Sequence, residues 1–179
     1  MYTDGSASKR RGLWKAGCGV WFADDSPHNI STQPRGKQTV NRAELSAVLL
    51  AMRKALRLCD GKKIIIFSDS RYCIDGINVS MWKWVQDGWT RRGKLLRNGD
   101  IWRIVHKALV SVKESGITIV FKHVPAHVGI YGNERVDRLA KAAMERAHKA
   151  VPRTAQEQQD NILERMADDI VFACCRTNS

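Results

Sequence analysis

Long apolar runs are missing from this 179-residue chain. None reaches the roughly 18 residues of a membrane helix, and the polar Thr3, Asp4 and Gly5 leave no place for the apolar stretch of a secretory signal. A soluble, intracellular protein without membrane association is the expectation. Cysteine is sparse and poorly spaced for cross-linking: Cys18, Cys59, Cys73, Cys174 and Cys175 are odd in number and form no CxxC pair, against both a disulfide framework and a structural zinc site. His123 and His127 stand four apart, but Pro125 between them disfavours a helical pair of metal ligands. Internal repeats and low-complexity segments are also absent.

Acidic residues are the scarcer charge, 18 Asp and Glu against 30 Lys and Arg, for a net of +12. From Val151 onward Arg153, Arg165 and Arg176 face Glu157, Asp160, Glu164, Asp168 and Asp169, a net of −2, which leaves +14 on residues 1–150. A surface that basic attracts polyanions, nucleic acid first among them. With 44% hydrophobic residues the chain can bury a real core. One principal domain over 1–150 is expected, followed by a C-terminal extension, 151–179, helical in part because Ile162, Met166, Ile170 and Val171 recur at helical spacing. No coiled-coil seam is visible, so a monomer is expected.

Along the chain, Met1–Ser6 reads as a short strand entering an Asp-Gly turn, Ala16–Ala23 as a second strand and Asn29–Gln33 as a third. From Thr39 to Leu58 the period changes, with Leu45, Val48, Leu49, Met52 and Leu56 on one helical stripe and Glu44 at its edge. Lys63–Ser68 is an apolar strand of the kind covered on both faces, and Asp69 follows at its carboxyl end, where ligands of α/β sheets gather. Helical segments over Arg71–Gly76 and Val79–Val85, a basic loop Trp89–Asn98, a helix through Ile101–Val112, a strand Ile117–Phe121 and a helix through Val136–Ala143 complete the order. Asn133 stands where a helix cap is expected. The fold class is α/β: a five-stranded mixed sheet, three antiparallel strands plus two parallel, with helices on both faces.

Four carboxylates sit where chemistry is easily placed: Asp4 and Asp69 at strand ends, Glu44 and Asp137 early in helices. His127 adds a proton carrier on the loop before the last helix. Taken singly, Asp4-Gly5 is an ordinary turn signal, Asp69 a cap for the following helix and Asp137 a complement to the helix dipole. Together, clustered acids call for a hard divalent cation with oxygen ligands, and two magnesium ions about 3.5–4 Å apart serve phosphoryl displacement.

Tyr2-Thr3-Asp4-Gly5-Ser6, Asn41-Arg42-Ala43-Glu44, Phe67-Ser68-Asp69-Ser70 and His127-Val128-Gly129 through Gly132-Asn133-Glu134 to Asp137 resemble, in that order, the four active-site motifs of the type 1 ribonuclease H family. The resemblance covers roughly residues 1–150. It implies cleavage of the RNA strand of an RNA/DNA hybrid by two Mg2+ ions, with Mn2+ able to substitute, leaving 5′-phosphate and 3′-hydroxyl ends. Asp4 would bridge the metals, Glu44 and Asp69 would complete one site, Asp137 the other, and His127 would assist proton transfer or product departure. Ser80–Arg97 resembles the family's basic protrusion on the DNA strand, with Trp84 supporting or touching sugars and Arg91, Arg92 and Lys94 on phosphates. Lys37, Thr39 and Asn98 match a DNA-phosphate pocket; the Gly5–Ser8 turn (Gly5, Ser6, Ser8) and Asn41 would read RNA 2′-hydroxyls.

This sequence departs from the pattern at Val40 and Ala126, and only Met1–Thr3 precede Asp4, so the strand bearing the central acid is expected to be short. No part of it resembles the separate hybrid-binding module of many eukaryotic relatives. Two other readings compete: a binding module that keeps the fold without turnover, and another nuclease or transferase of the superfamily, such as a retroelement polyprotein domain. The complete set of acids with His127 argues against the former, and the basic segment with the histidine loop against the latter.

Overall fold

The computed structural model describes residues 1–58 and 63–150. The helix expected within Thr154–Ala173 lies outside them, as do Cys59, Cys174 and Cys175. The elements run β1 (Tyr2–Arg10), β2 (Leu13–Trp21), β3 (Ile30–Thr32), α1 (Val40–Leu58), β4 (Lys63–Ser68), α2 (Arg71–Asp75), a π-helical turn (Gly76–Ser80), α3 (Met81–Gln86), β5 (Thr90–Arg91), β6 (Lys94–Leu95), α4 (Gly99–Glu114), β7 (Thr118–His123) and α5 (Tyr131–Lys149). Five strands form one sheet in the order β3-β2-β1-β4-β7; β5 and β6 make a separate ribbon. β1 pairs antiparallel with β2 and parallel with β4, β2 with β3 antiparallel and β4 with β7 parallel, the mixed sheet the sequence predicts.

The first strand corrects the sequence reading. Asp4-Gly5 is no turn; both residues lie inside β1, paired with Gly19 and Cys18. The reversal comes at Arg11-Gly12, both left-handed (φ 48° and 83°), the backbone of a tight two-residue hairpin. Nor is the strand short, since it continues six residues past Asp4 to Arg10. The residues ahead of the acid are tied to β4, with Phe67 N–H donating to the Met1 carbonyl at 3.0 Å.

Alternation along paired strands sends neighbouring residues to opposite faces, and glycines set how closely helices approach. At Gly5 an added Cβ would lie 2.3 Å from the Glu44 backbone nitrogen, so α1 rests directly on β1. At Gly17, on the other face, it would lie 2.2 Å from the Ala140 carbonyl oxygen, so α5 rests on β2. The predicted stripe of α1 is buried at Leu45, Val48, Leu49 and Met52. It packs with α4, whose fully buried Trp102 donates its indole N–H to the Tyr72 hydroxyl at 2.9 Å. Thr39 Oγ1 accepts the Arg42 N–H at 3.4 Å and so caps α1. Cys18 and Cys73 are buried free thiols.

Two further expectations change. The basic loop contains the β5–β6 hairpin, turned by left-handed Arg92 and Gly93. Asn133 is not a cap, because α5 begins at Tyr131 and Asn133 is buried in its first turn. Among the described residues no helix is long and apolar enough to cross a membrane.

The β1–α1 contact yields a stability prediction. Gly5→Ala places a methyl group against helix backbone that cannot rotate away, so it should cost about 3 kcal/mol or more and lower the melting temperature by roughly 10 °C. A calorimetric melt within two or three degrees of wild type would refute the close approach.

Candidate active site

Parallel pairing of β1 with β4 places Tyr2 opposite Phe67. Two residues further along each chain, Asp4 and Asp69 come level at the centre of the sheet. The α1 contact over Gly5 brings Glu44 to the same point. One carboxylate oxygen from each of Asp4, Glu44 and Asp69 lies within 4.8 Å of the others. Asp4 and Glu44 are each only 6% exposed.

Burial and crowding dominate the chemistry of this group. The Asp4 carboxyl is pushed up to about 6, by burial first and then by the charge of Asp69, against a lowering backbone hydrogen bond at Gly5. Glu44 is raised well above the usual carboxylate range by burial, then by Asp4 and Asp69. Its Oε2 is buried and has no hydrogen-bond partner. Such an orphaned oxygen beside two further carboxylates is what a hard cation with an all-oxygen ligand set requires. The donor set therefore fits a divalent metal ion, and sulfur-preferring metals are disfavoured.

Asp137 is not brought into this trio. It lies in the second turn of α5, half-buried, with its carboxylate accepting from Lys141 Nζ at 2.7 Å. His127 is exposed on the loop between β7 and α5, with left-handed backbone (φ 54°). Sequence reasoning missed the role of Asn133. Its Nδ2 donates to Asp69 Oδ2 at 2.9 Å, while its own Oδ1 is buried without a partner. Its position beside Gly132 and Glu134 in a helix start suggested capping, and nothing local signals a contact across 64 residues of sequence.

The expected substrate residues divide into three groups. Gly5 is buried under α1, and Ser6 and Ser8 point to α5, where Ser6 Oγ meets Met144 Sδ at 3.6 Å and Ser8 Oγ lies 3.1 Å from His148 Nε2; the anticipated Gly5–Ser8 turn is strand. Asn41 is half-buried at the start of α1. Arg42 donates to both carboxylate oxygens of Asp100, at 3.0 and 2.7 Å, and Nε donates to the Arg35 carbonyl at 2.6 Å. That clamp joins the loop holding Lys37 and Thr39 to the start of α4, where left-handed Asn98 donates to the Tyr72 hydroxyl at 3.3 Å. Arg91, Arg92 and Lys94 are exposed on the β5–β6 ribbon. Trp84 is half-buried and edge-on to Trp102 at 5.1 Å, packed against the core.

Comparison with known proteins agrees with this geometry. Ribonuclease H1 of Homo sapiens is 34% identical over 143 residues, 79% of this chain and 48% of that protein. Ribonuclease H of Thermosynechococcus vestitus is 31% identical over 142 residues, 79% of this chain and 85% of that protein. This chain thus spans about half the length of the human relative. Among solved structures, LC9-RNase H1, a type 1 RNase H with the type 2 active-site motif, superposes with a TM-score of 0.63 at 26% identity, covering 80% of this chain and 70% of that one. The foamy viral protease-reverse transcriptase in complex with RNA/DNA hybrid gives 0.66 at 27% identity, over 80% of this chain and 19% of that one. A family model described as RNase H matches residues 1–145, from the first strand through the helix that carries Asp137, and this chain belongs to the RNase H family.

Proposed function

We propose that this protein is a metal-dependent endoribonuclease that cleaves the RNA strand of RNA/DNA hybrids, leaving 5′-phosphate and 3′-hydroxyl ends, with its catalytic domain over residues 1–150. The reading rests on Asp4, Glu44 and Asp69 meeting within 4.8 Å in a chain of this family. Asp4, Glu44 and Asp69 would hold the metal, two Mg2+ ions with Mn2+ as substitute, and Asp137 would complete the second position. When bound, such ions supply an activated water and stabilise the leaving oxygen of an in-line displacement.

The chain's own groups do the rest. Asn133 donates to Asp69 and fixes which of its oxygens is free for a ligand. Asp137 joins by releasing Lys141, and an i,i+4 pair on a helix is worth only about 0.2–0.5 kcal/mol, so the release is easy. His127, exposed beside the helix start, can exchange protons with solvent and substrate. Asn41 and the backbone near Gly5 face the RNA strand, while Lys37, Thr39 and Asn98 take a DNA phosphate and Arg91, Arg92 and Lys94 take others along the duplex. The foamy viral relative's complex with an RNA/DNA hybrid supports the choice of substrate.

The deciding assay is cleavage of labelled RNA/DNA hybrid by folded protein with and without Mg2+, against single-stranded RNA, double-stranded RNA and DNA. Asp69→Asn should lower cleavage by at least about a thousandfold while hybrid affinity stays within a factor of a few. Wild-type turnover in that variant would remove Asp69 from the chemistry.

The acid trio also predicts a pH dependence. Because folded Asp4 titrates near 6 and Glu44 higher than usual, the folded state of the metal-free protein binds more protons than the unfolded chain above about pH 4. Stability should fall as pH rises from about 4 through 6, by about 3 kcal/mol for Asp4 alone. Mg2+ should restore it above pH 6 and have little effect near pH 4. Thermal melts should show this loss in wild type and a shallower one in Asp4→Asn; parallel curves would contradict it.

For the ribbon, replacing Arg91, Arg92 and Lys94 with Gln should weaken hybrid binding and reduce the slope of log affinity against log salt by about 2–3. An unchanged slope would place the ribbon outside the interface.

A further inference from the structure

We propose that the tip of the β1–β2 hairpin, Lys9 to Lys15, is a second duplex-binding element that grips the sugar-phosphate backbone of the same hybrid roughly six base pairs from the cleaved bond. The inference rests on the hybrid-cleavage reading and extends its footprint. Four of the seven residues in Lys9-Arg10-Arg11-Gly12-Leu13-Trp14-Lys15 are cationic and none is acidic. Arg10 is paired with Glu145 of α5. Lys9, Arg11 and Lys15 have no ion pair among the described residues.

Beside these cations stand apolar side chains that the core does not use. Trp14 is 52% exposed and Leu13 65% exposed. Strand register explains the exposure of Trp14, which pairs with Lys9 one step beyond the last pair on that face, Ala7 with Ala16, that packs against α1 residues; Leu13, paired with Arg10, lies on the opposite face at the tip. A hairpin built only to close the sheet has no need to continue past that pair with a tryptophan among lysines and arginines. Exposed aromatic surface interleaved with mobile cations suits a nucleic-acid backbone, with phosphates on the cations and a sugar or terminal base on the ring.

The position of the tip decides what it can reach. It is carried by β1, the strand that also bears Asp4, and Arg10 lies six residue steps beyond Asp4, a span of roughly 20 Å. For a duplex lying along β1 with its scissile bond at Asp4, this span corresponds to about six pairs at about 3.4 Å each. The rigid strand makes the offset a fixed distance. The Arg10–Glu145 pair and the Ser8–His148 contact brace the base of the tip against α5.

The test uses the whole chain and duplexes of about 20 base pairs in which a short ribonucleotide block fixes where cleavage occurs. The block stands centrally, or about three pairs from one end, or about three from the other. The variant is Lys9→Gln/Arg11→Gln/Lys15→Gln, with Trp14→Ala made separately and both checked by thermal melts. With the central block, and with the block near one particular end, KM should rise about tenfold in the triple variant while kcat is unchanged. With the block near the other end, where the duplex stops short of the tip, variant and wild type should agree.

Equal KM values on every substrate would overturn the proposal, as would a loss independent of block position. Wild-type binding to anionic lipid vesicles that the variant lacks, with cleavage unaffected, would overturn it in favour of a membrane surface. No cleavage by wild type on any substrate would instead refute the function on which the inference rests.

Discussion

The structure turns on an electrostatic conflict: Asp4 and Glu44 are almost dry, and Asp69 stands beside them. Like charges in a low dielectric repel, and burial adds a desolvation cost, so Asp4 and Glu44 hold their protons longer than they would in water. A few features of the chain keep them together regardless. The absence of a side chain at Gly5 lets α1 settle onto β1 and carries Glu44 with it. Parallel pairing with β4 fixes Asp69 level with Asp4, and Asn133 reaches from α5 to Asp69. α1 itself is held in place by a core in which α1 and α4 bury Leu45, Val48, Met52 and Trp102.

Charge is distributed in a complementary way. Acids are scarce on residues 1–150, yet three of them occupy one point, so the positive excess is left to the surface. Cations are presented on short two-residue hairpins at Arg11-Gly12 and Arg92-Gly93, both with left-handed turn backbones. Small hairpins of this kind hold basic side chains away from the core. The Arg42–Asp100 clamp does the opposite, since its guanidinium is consumed in joining the loop before α1 to the start of α4. Arg42 is therefore an architectural cation.

Much of the fold was legible because its signals were periodic. The α1 stripe, the apolar β4 and the order of strands and helices needed only the 3.6- and 2-residue repeats. The misreadings share a cause, which is tertiary context overriding local preference. Asp4-Gly5 has turn composition, but Gly5 serves close packing and the turn falls at Arg11-Gly12, a pair with a weaker turn signature than Asn-Gly. The β5–β6 ribbon has only two residues per strand, too few to show alternation. Asn133 has the composition of a cap but bonds to a carboxylate on another strand's end. The acids of the site were found through the order of their motifs, since no spacing in the sequence states that they converge.

The separation of Asp137 from the other three acids then acquires a physical meaning. A fourth carboxylate placed permanently in this cluster would raise the proton affinities of Asp4 and Glu44 further, as the charge of Asp137 already does to Asp4 from a distance. Lys141 holds Asp137 in a half-exposed ion pair that neutralises part of that field. Such a pair is weak enough to give way to a divalent cation, and repulsion from the three clustered acids keeps Asp137 apart without one. The three-acid cluster with Asp137 held apart thus reflects how many carboxylates a metal-free interior can hold, and the helix register of Asp137 and Lys141 sets the pair that holds it.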